Sequence, residues 1–428
     1  MSRLVFRNAR LLDGDSDRPD PMTVVVNSDR FERVDGSPGT GFAPDDEVYD
    51  LGGATIMPGM IQGHFHATYP GFGPGSPPIG MEAPPAMQAL RAANHLRLAL
   101  HNGFTGAVSA GGPYAIDASC KAAIAEGLIE GPRFVPCSRD VSTTGHAQDW
   151  VQWHWGEIAG PGVNLADGAD AFRRAVREEI KRGAEMIKIF ATPGHGVPGS
   201  FHNNLEMSEA ELAAAIETAH SRNIRVRAHI AGKEALLVSL RLGIDIVDHA
   251  DGMDDECLDR ILEKDVFVVP SLRLPYELSR IATGPMIDDL RKELEGMMKM
   301  VPLANKAGVR FVLGDDYGVQ PLSHGRYGEE LEFYTKVVGI PALDVIRWAT
   351  KHGGEMCGGK EQGTIAKDKL ADFIIVDGDP ITNIALLADP GNFLAIGKGG
   401  KFVSSRLRRE TQPTDVGPRV SAYEYTGG

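Results

Sequence analysis

Two histidines one residue apart, His64 and His66, end an apolar run that begins at Thr55. On an extended strand, side chains two residues apart share a face. Both imidazoles would then project from the end of one buried strand, where their nitrogens can share a metal ion. Later apolar segments carry matching ligand types. Lys188 lies in Met186-Ile187-Lys188-Ile189-Phe190, His229 in Val226-Arg227-Ala228-His229-Ile230, and His249 in Ile246-Val247-Asp248-His249-Ala250. Asp316 lies in Gly314-Asp315-Asp316-Tyr317-Gly318. Each also has a plainer reading. An amine inside an apolar strand is costly unless paired or modified. Lys188 therefore reads either as an edge lysine reaching solvent or as an amine of depressed pKa that takes up CO2. The resulting carbamate would bridge two cations. His229 and His249, taken singly, read as ordinary buried histidines. Asp316 has a rival in Asp315, and a carboxylate before glycine also suits a turn or a helix cap. Their shared position at strand ends is what favours a metal site.

The elements that must position these residues follow from hydrophobic period and stop signals. Counted from residue 55, eight apolar strands alternate with helices. After the His-x-His strand they are expected at 104–109, 133–138, 186–191, 225–230, 244–248, 266–269 and 310–313. Helices are expected at 84–102, 115–126, 168–182, 208–222, 232–242, 254–264, 285–307, 327–338 and 341–352. The helix at 208 opens on Ser-Glu-Ala-Glu, a capping box. Parallel strands joined by crossover helices make an α/β fold, and eight such units suit a (β/α)8 TIM barrel. A doubly wound open sheet is the alternative, but no GxGxxG follows the first strand. In the barrel all the candidate ligands would face one pocket.

Strands are also expected at 3–12, 22–27 and 31–34, and again at 363–365, 372–377, 393–396 and 401–403. Paired, these ends would form a small β-sandwich. The expected division is residues 1–54 with 362–410 as the sandwich, 55–361 as the barrel, and 411–428 as a polar tail. The long loop at 143–166 holds Gly145-His146 and Trp150, Trp153 and Trp155. These tryptophans suit either an apolar rim over a pocket or simple loop packing. Met297, Met298 and Met300 read as core filling.

The formal net charge is −14, with no basic stripe, which excludes a general nucleic-acid binder. Cys120, Cys137, Cys257 and Cys357 form no CxxC pair and read as buried structural thiols. The N-terminus has no signal-peptide apolar core, and no apolar run reaches the roughly 18 residues of a membrane span. A cytoplasmic homo-oligomer acting on a small molecule is expected, with neither nucleic acid nor membrane as partner.

At this point the residues resemble a family. Pro58-Gly59-Met60-Ile61 before His64-Phe65-His66, Gly183-Ala184-Glu185-Met186-Ile187-Lys188, Ala228-His229 and Asp248-His249 carry the resemblance. It continues through Gly314 to Gly318, His324-Gly325, Glu329-Glu330-Leu331 and the run from Gly363 to Phe373 with Val376-Asp377-Gly378-Asp379-Pro380. Together they are similar to the metal-dependent amidohydrolase superfamily, in its imidazolonepropionase-like and Xaa-Pro dipeptidase-like branch. The resemblance implies two divalent cations, most suitably zinc. His64, His66 and Asp316 would hold the more buried one and His229 and His249 the second, with carboxylated Lys188 between them. Asp316, Lys188 and His249 would be catalytic. His146, His324 and Trp150 would meet the substrate. A water acidified by the cations would attack a carbonyl, with Asp316 moving its proton to the leaving nitrogen.

Two positions depart from the pattern. Gln62 stands where an aspartate is usual, and Ile230-Ala231 stands where Ala-Tyr is usual in peptidase-like members. The expected reaction is cleavage of an amide-type C–N bond in an N-acyl amino acid, dipeptide or aryl amide. The alternatives are a urea, carbamate, cyclic imide or lactone hydrolase on the same site, and a non-catalytic metal-binding relative.

Overall fold

The structure is a computed structural model that describes residues 3–36, 42–73, 75–146, 149, 154, 160–194 and 201–410. Its N-terminal part is all strand: β1 (Leu4–Leu12), β2 (Asp17–Asn27), β3 (Arg30–Asp35), β4 (Glu47–Asp50) and β5 (Thr55–Pro58). From residue 60 the texture changes to alternating strands and helices. These are β6 (Met60–Phe65), α1 (Pro85–His101), β7 (Phe104–Ser109), α2 (Ile116–Ala125), β8 (Arg133–Val135), β9 (Cys137–Ser142) and β10 (Val163–Leu165). They continue with α3 (Ala169–Lys181), β11 (Met186–Phe190), α4 (Glu209–His220), β12 (Arg225–Ala231), α5 (Lys233–Leu242) and β13 (Ile246–Asp251). Next come α6 (Asp255–Lys264), β14 (Phe267–Val269), α7 (Arg273–Ile281), α8 (Pro285–Ala307) and β15 (Arg310–Phe311). Short helices α9 (Glu329–Phe333), α10 (Ala342–Arg347) and α11 (Gly353–Met356) lead to β16 (Phe373–Val376), β17 (Phe393–Lys398) and β18 (Lys401–Ser405).

The alternating part forms two parallel sheets, β6-β7-β8 and β10-β9-β11-β12-β13-β14-β15. They approach each other where Gly63 N–H donates to Leu313 O at 2.7 Å. This is an α/β fold of the TIM-barrel type. Its strands are apolar on both faces because helices cover one side and the interior fills the other. Ile187, Ile189, Val226, Ala228, Val247 and Val268 are all buried. α4 starts where expected, with Ser208 Oγ accepting from Glu211 N–H and the Glu211 carboxylate accepting from Ser208 N–H.

The apolar run before His64 is two strands, not one. β5 pairs with β1 and β16 in the terminal sheet, while β6 pairs with β7. The chain changes sheets at Gly59, where a Cβ would lie 2.1 Å from the Thr105 hydroxyl. Only glycine lets the backbone pass that close. The expected strand at 133–138 is likewise split at Pro136, which cannot donate to a ladder, so β8 and β9 belong to different sheets. β4, β10 and α7 have no counterpart in the sequence reading. Residues 363–365 form no strand.

The two ends of the chain meet in one eight-stranded sheet, ordered β18-β17-β16-β5-β1-β2-β3 with β4 beside β1. Its core packs Phe6 against Tyr49, Phe373 and Phe402. The bidentate pair Arg133–Asp372 ties it to β8 at 2.6 and 3.1 Å. Cys120, Cys137 and Cys257 are buried and unpaired and Cys357 is half-buried, as their spacing implies.

Candidate metal centre

His64 and His66 stand at the end of β6, both buried. Their Nε2 atoms are 3.2 Å apart, and both face Asp316 Oδ1, at 3.0 and 3.3 Å. Asp316 follows β15, on a loop drawn close to β6. A Cβ on Gly314 would lie 2.5 Å from His64 N, so the loop can run flush against the strand. His66 Nδ1 lies 3.1 Å from Gly111 O, which only a protonated Nδ1 can use, so its Nε2 lone pair faces Asp316. Tyr69 stacks flat on the His66 ring at 4.0 Å. Burial lowers the His66 pKa to about 4, outweighing the opposing pull of Asp316, so the ring is neutral at ordinary pH.

β11, β12 and β13 bring the remaining ligands to the same level. Their parallel register sets Lys188 beside Arg227, and His229 beside Asp248. By strand alternation Lys188, Arg227, His229 and Asp248 all point inward, and His249 should point out. It does not, because His249 has φ 73° and Ala250 φ 60°. This left-handed pair, costly for residues with a Cβ, turns the His249 side chain back into the site. His249 then lies 4.5 Å from His229 and 5.5 Å from His64, ring centre to ring centre. One donor atom each of His64, His249 and Asp316 lie within 4.8 Å of one another. Burial pushes the His249 pKa down to about 3 and that of His229 well below its ordinary value. His229 stacks on Phe190 at 4.8 Å. Lys188 Nζ is buried and ion-paired with Asp248 Oδ2 at 2.5 Å.

Asp315, the rival of Asp316, faces away from the site. Its carboxylate accepts from Arg273 N–H and Asp316 N–H, each at 2.8 Å. Behind it Gln62 Nε2 donates to Glu330 Oε2 at 3.3 Å, and Gly314 N–H donates to Glu330 Oε1 at 2.8 Å. Gln62, where an aspartate is usual, thus faces a buried carboxyl. Burial pushes Glu330 up to about 7 and Asp315 well above its ordinary value.

A cavity of about 330 Å³ opens above these groups. His64, His66, Lys188, His229, His249 and Asp316 all line it, and Tyr69, Phe72, Pro77, Pro78, Ile79 and Val319 form an apolar wall. The expected substrate-contacting histidines are not among its described lining residues. His146 is buried between Ser142 Oγ at 2.7 Å and Glu206 at 3.0 Å, off the cavity lining. His324 stacks on His95 at 3.8 Å, and its Nδ1 meets the Tyr327 hydroxyl at 2.9 Å. Both are held in place by polar partners of their own. Trp150, Trp153 and Trp155 lie outside the described residues. The sequence reading gives no role to Arg227, Asp248 or Glu330, although the last two stand in its motifs; a signal was available for Arg227 and Asp248. The available signal was a charged side chain at an inward position of an otherwise apolar strand, two residues before His229 and one before His249.

The donors fit a cation site. Four imidazoles, a carboxylate and a lysine amine converge on one cavity from distant parts of the chain. Histidine nitrogen and carboxylate oxygen are the ligands of catalytic zinc sites, and the cavity leaves room for a further ligand.

Comparison with known proteins agrees. Residues 55–403 match the model of the amidohydrolase family. The ochratoxinase of Aspergillus niger is 27% identical over 368 residues, covering 81% of this chain and 75% of that protein. A solved Xaa-Pro dipeptidase with methionine in its active site is 25% identical, with TM-score 0.82 over 94% of this chain and 100% of the other. A prolidase complexed with N-methylphosphonate-L-proline is 26% identical, with TM-score 0.82 over 95% of this chain and 100% of the other. The family match spans most of the chain. The protein therefore belongs to the amidohydrolase family, in its prolidase-like branch, and is a hydrolase acting on C–N bonds.

Proposed function

We propose that this chain hydrolyses a carboxylic amide that carries an aromatic or bulky apolar group, such as an N-acyl amino acid, a dipeptide or an aryl amide. The observation that carries this reading is the polar floor, where Asp316 Oδ1 meets His64 and His66, under a wall of Tyr69, Phe72, Ile79 and Val319. His64, His66 and Asp316 would hold one divalent cation and His229 and His249 another, with carboxylated Lys188 between them. Zinc suits these donors. When bound, the cations supply Lewis acidity and a water acidic enough to ionise near neutral pH. Asp316 accepts the proton of the attacking water and returns it to the leaving nitrogen. The apolar wall excludes bulk water and orients the substrate's apolar part, leaving its carbonyl over the histidines. The likeness to the ochratoxinase and to the Xaa-Pro dipeptidase supports an amide bond.

The same reading takes the two parallel sheets as arcs of one closed (β/α)8 barrel running from β6 to residue 361; the expected boundary at 55 moves to 59, because β5 pairs with β1 and β16, and the chain ends form one sheet where a β-sandwich was expected. It also takes the protein as a cytoplasmic homo-oligomer whose partner is a small molecule.

The test is product identification by mass spectrometry from pooled amides, peptides, ureas, carbamates and lactones, with and without chelator. Chelator-sensitive release of amino acids or arylamines from carboxylic amides is expected. Cleavage confined to ureas, carbamates or lactones would overturn the choice of bond.

A further inference from the structure

Arg227 and Asp248 are wholly buried inside the molecule. Arg227 Nη1 donates to Gly63 O at 3.0 Å and to Ser109 O at 2.7 Å, reaching β6 and β7. Its Nε donates to Asp248 Oδ2 at 3.0 Å and its Nη2 to Asp248 Oδ1. Such a buried pair is seldom more stable than apolar residues of the same shape. Packing alone would favour the latter here, since Val226, Ala228 and Ile230 on the same strand are apolar and buried. The rest of the carboxylate's surroundings account for the pair. Asp248 Oδ1 lies 3.3 Å from His64 Nδ1, and Oδ2 lies 2.5 Å from Lys188 Nζ.

We infer that Arg227 and Asp248 form a positioning pair that aims two proposed ligands, His64 of the first cation site and Lys188 between the two. The inference rests on the cation-dependent reading above. A carboxylate only accepts, so Asp248 selects the His64 tautomer with hydrogen on Nδ1 and leaves the Nε2 lone pair toward Asp316. Arg227 Nη2 also lies 3.1 Å from His64 Nδ1, and in this tautomer its hydrogen goes to Asp248. Lys188 fits the same acceptor before and after modification. When its neutral amine bonds to the carbon of CO2, the nitrogen loses one proton to solvent and keeps one N–H. That N–H donates to Asp248 Oδ2 as the ammonium does, which points the new carboxylate away from Asp248. Arg227 donates to both Asp248 oxygens, so the acceptor cannot turn away.

The experiment compares the native protein with Asp248→Asn and with the double variant Arg227→Met/Asp248→Leu. Zn²⁺ affinity is measured by competition with a chromogenic chelator, the visible spectrum after Co²⁺ loading, and melting temperature without metal. Asp248→Asn leaves Arg227 uncompensated, whereas the apolar double variant removes both charges. Zn²⁺ affinity is expected to fall 10–100-fold in both variants, with an altered Co²⁺ spectrum, while the double variant recovers melting temperature relative to the single one. A double variant with native Zn²⁺ affinity and Co²⁺ spectrum would overturn the inference, leaving the pair as a strut between sheets. Should neither variant fold, a crystal structure of the native zinc-loaded protein decides. Asp248 within hydrogen-bond reach of both His64 Nδ1 and Lys188 Nζ supports the inference, and Asp248 turned from either overturns it. A native protein that takes up no Zn²⁺ would instead overturn the reading of the site and remove this inference with it.

Discussion

Asp316 is the carboxylate that lines the cavity among its described residues. Asp316→Asn keeps the shape and removes both the charge and the proton acceptor. Its kcat on an amide substrate should fall by about 10²–10⁴. Bound zinc, measured on the same sample, separates lost proton transfer from lost metal. Glu330 makes the opposite case. Burial raises its pKa from 4.5 to about 7. A carboxyl that binds its proton more tightly when folded adds stability that is complete below the unfolded pKa and lost as pH rises through 7. Gln62 Oε1, buried and otherwise unpartnered, could accept that proton if the amide were turned. Glu330→Gln cannot ionise. It should match the native protein near pH 5 and be more stable than it at pH 8, by on the order of 1–3 kcal/mol. Denaturation at the two pH values reads this, and an equal difference at both would refute it.

At the scale of elements, the cavity wall is two loops stitched together. Gly71 and Phe72 N–H both donate to Gly318 O, at 2.9 and 2.7 Å, and Gln320 N–H donates to Phe72 O at 2.7 Å. Phe72 packs edge-on against Tyr69, which stacks on His66. The wall thus leads directly to a metal ligand. Removing the Phe72 ring takes away apolar contact of about 1.5–3 kcal/mol. Phe72→Ala should raise KM for an amide with an aromatic group about tenfold or more and change kcat much less. An acetyl amide, too small to reach the wall, should be nearly unaffected. Steady-state kinetics on the two substrates check this. The junction of β5 and β6 is a second tight point. Gly59→Ala would drive a Cβ into Thr105 and should cost about 1–3 kcal/mol in chemical denaturation.

For the whole molecule, the proposed centre joins strands that no local contact holds together. β6, β11, β12, β13 and the loop after β15 each supply a ligand. Cations that bind only the folded state add stability by mass action, about 2.7 kcal/mol at 100 times their Kd. Chelation should therefore lower the melting temperature and abolish activity together, and Zn²⁺ should restore both. A melting temperature indifferent to chelator and Zn²⁺ would count against the centre. The terminal sheet completes the molecule by pairing β5 with β16, residues more than 300 apart in the chain.

What the amino-acid sequence determined by itself was the set of elements and the chemical types at their ends. Hydrophobic period is a local property, so the alternation of strands and helices, the capped start of α4 and the ligand-bearing strands were legible from it. So was the family, through motifs around those ligands. Tertiary structure decided whatever depended on distant chain. The strand before His64 breaks in two because Gly59 must pass Thr105. The choice between Asp315 and Asp316 rests on Arg273 and on the close approach of Gly314 to His64. His249 faces inward only through its left-handed backbone, which no alternation rule anticipates. His146 and His324 have site-like motifs, and their contacts with Glu206 and His95 are made across distant chain. Arg227 and Asp248 could be read as charges on apolar strands. That they share two proposed ligands became visible only when β11, β12 and β13 stood side by side and met His64 of β6, because a buried charge is defined by its neighbours and not by its place in the chain.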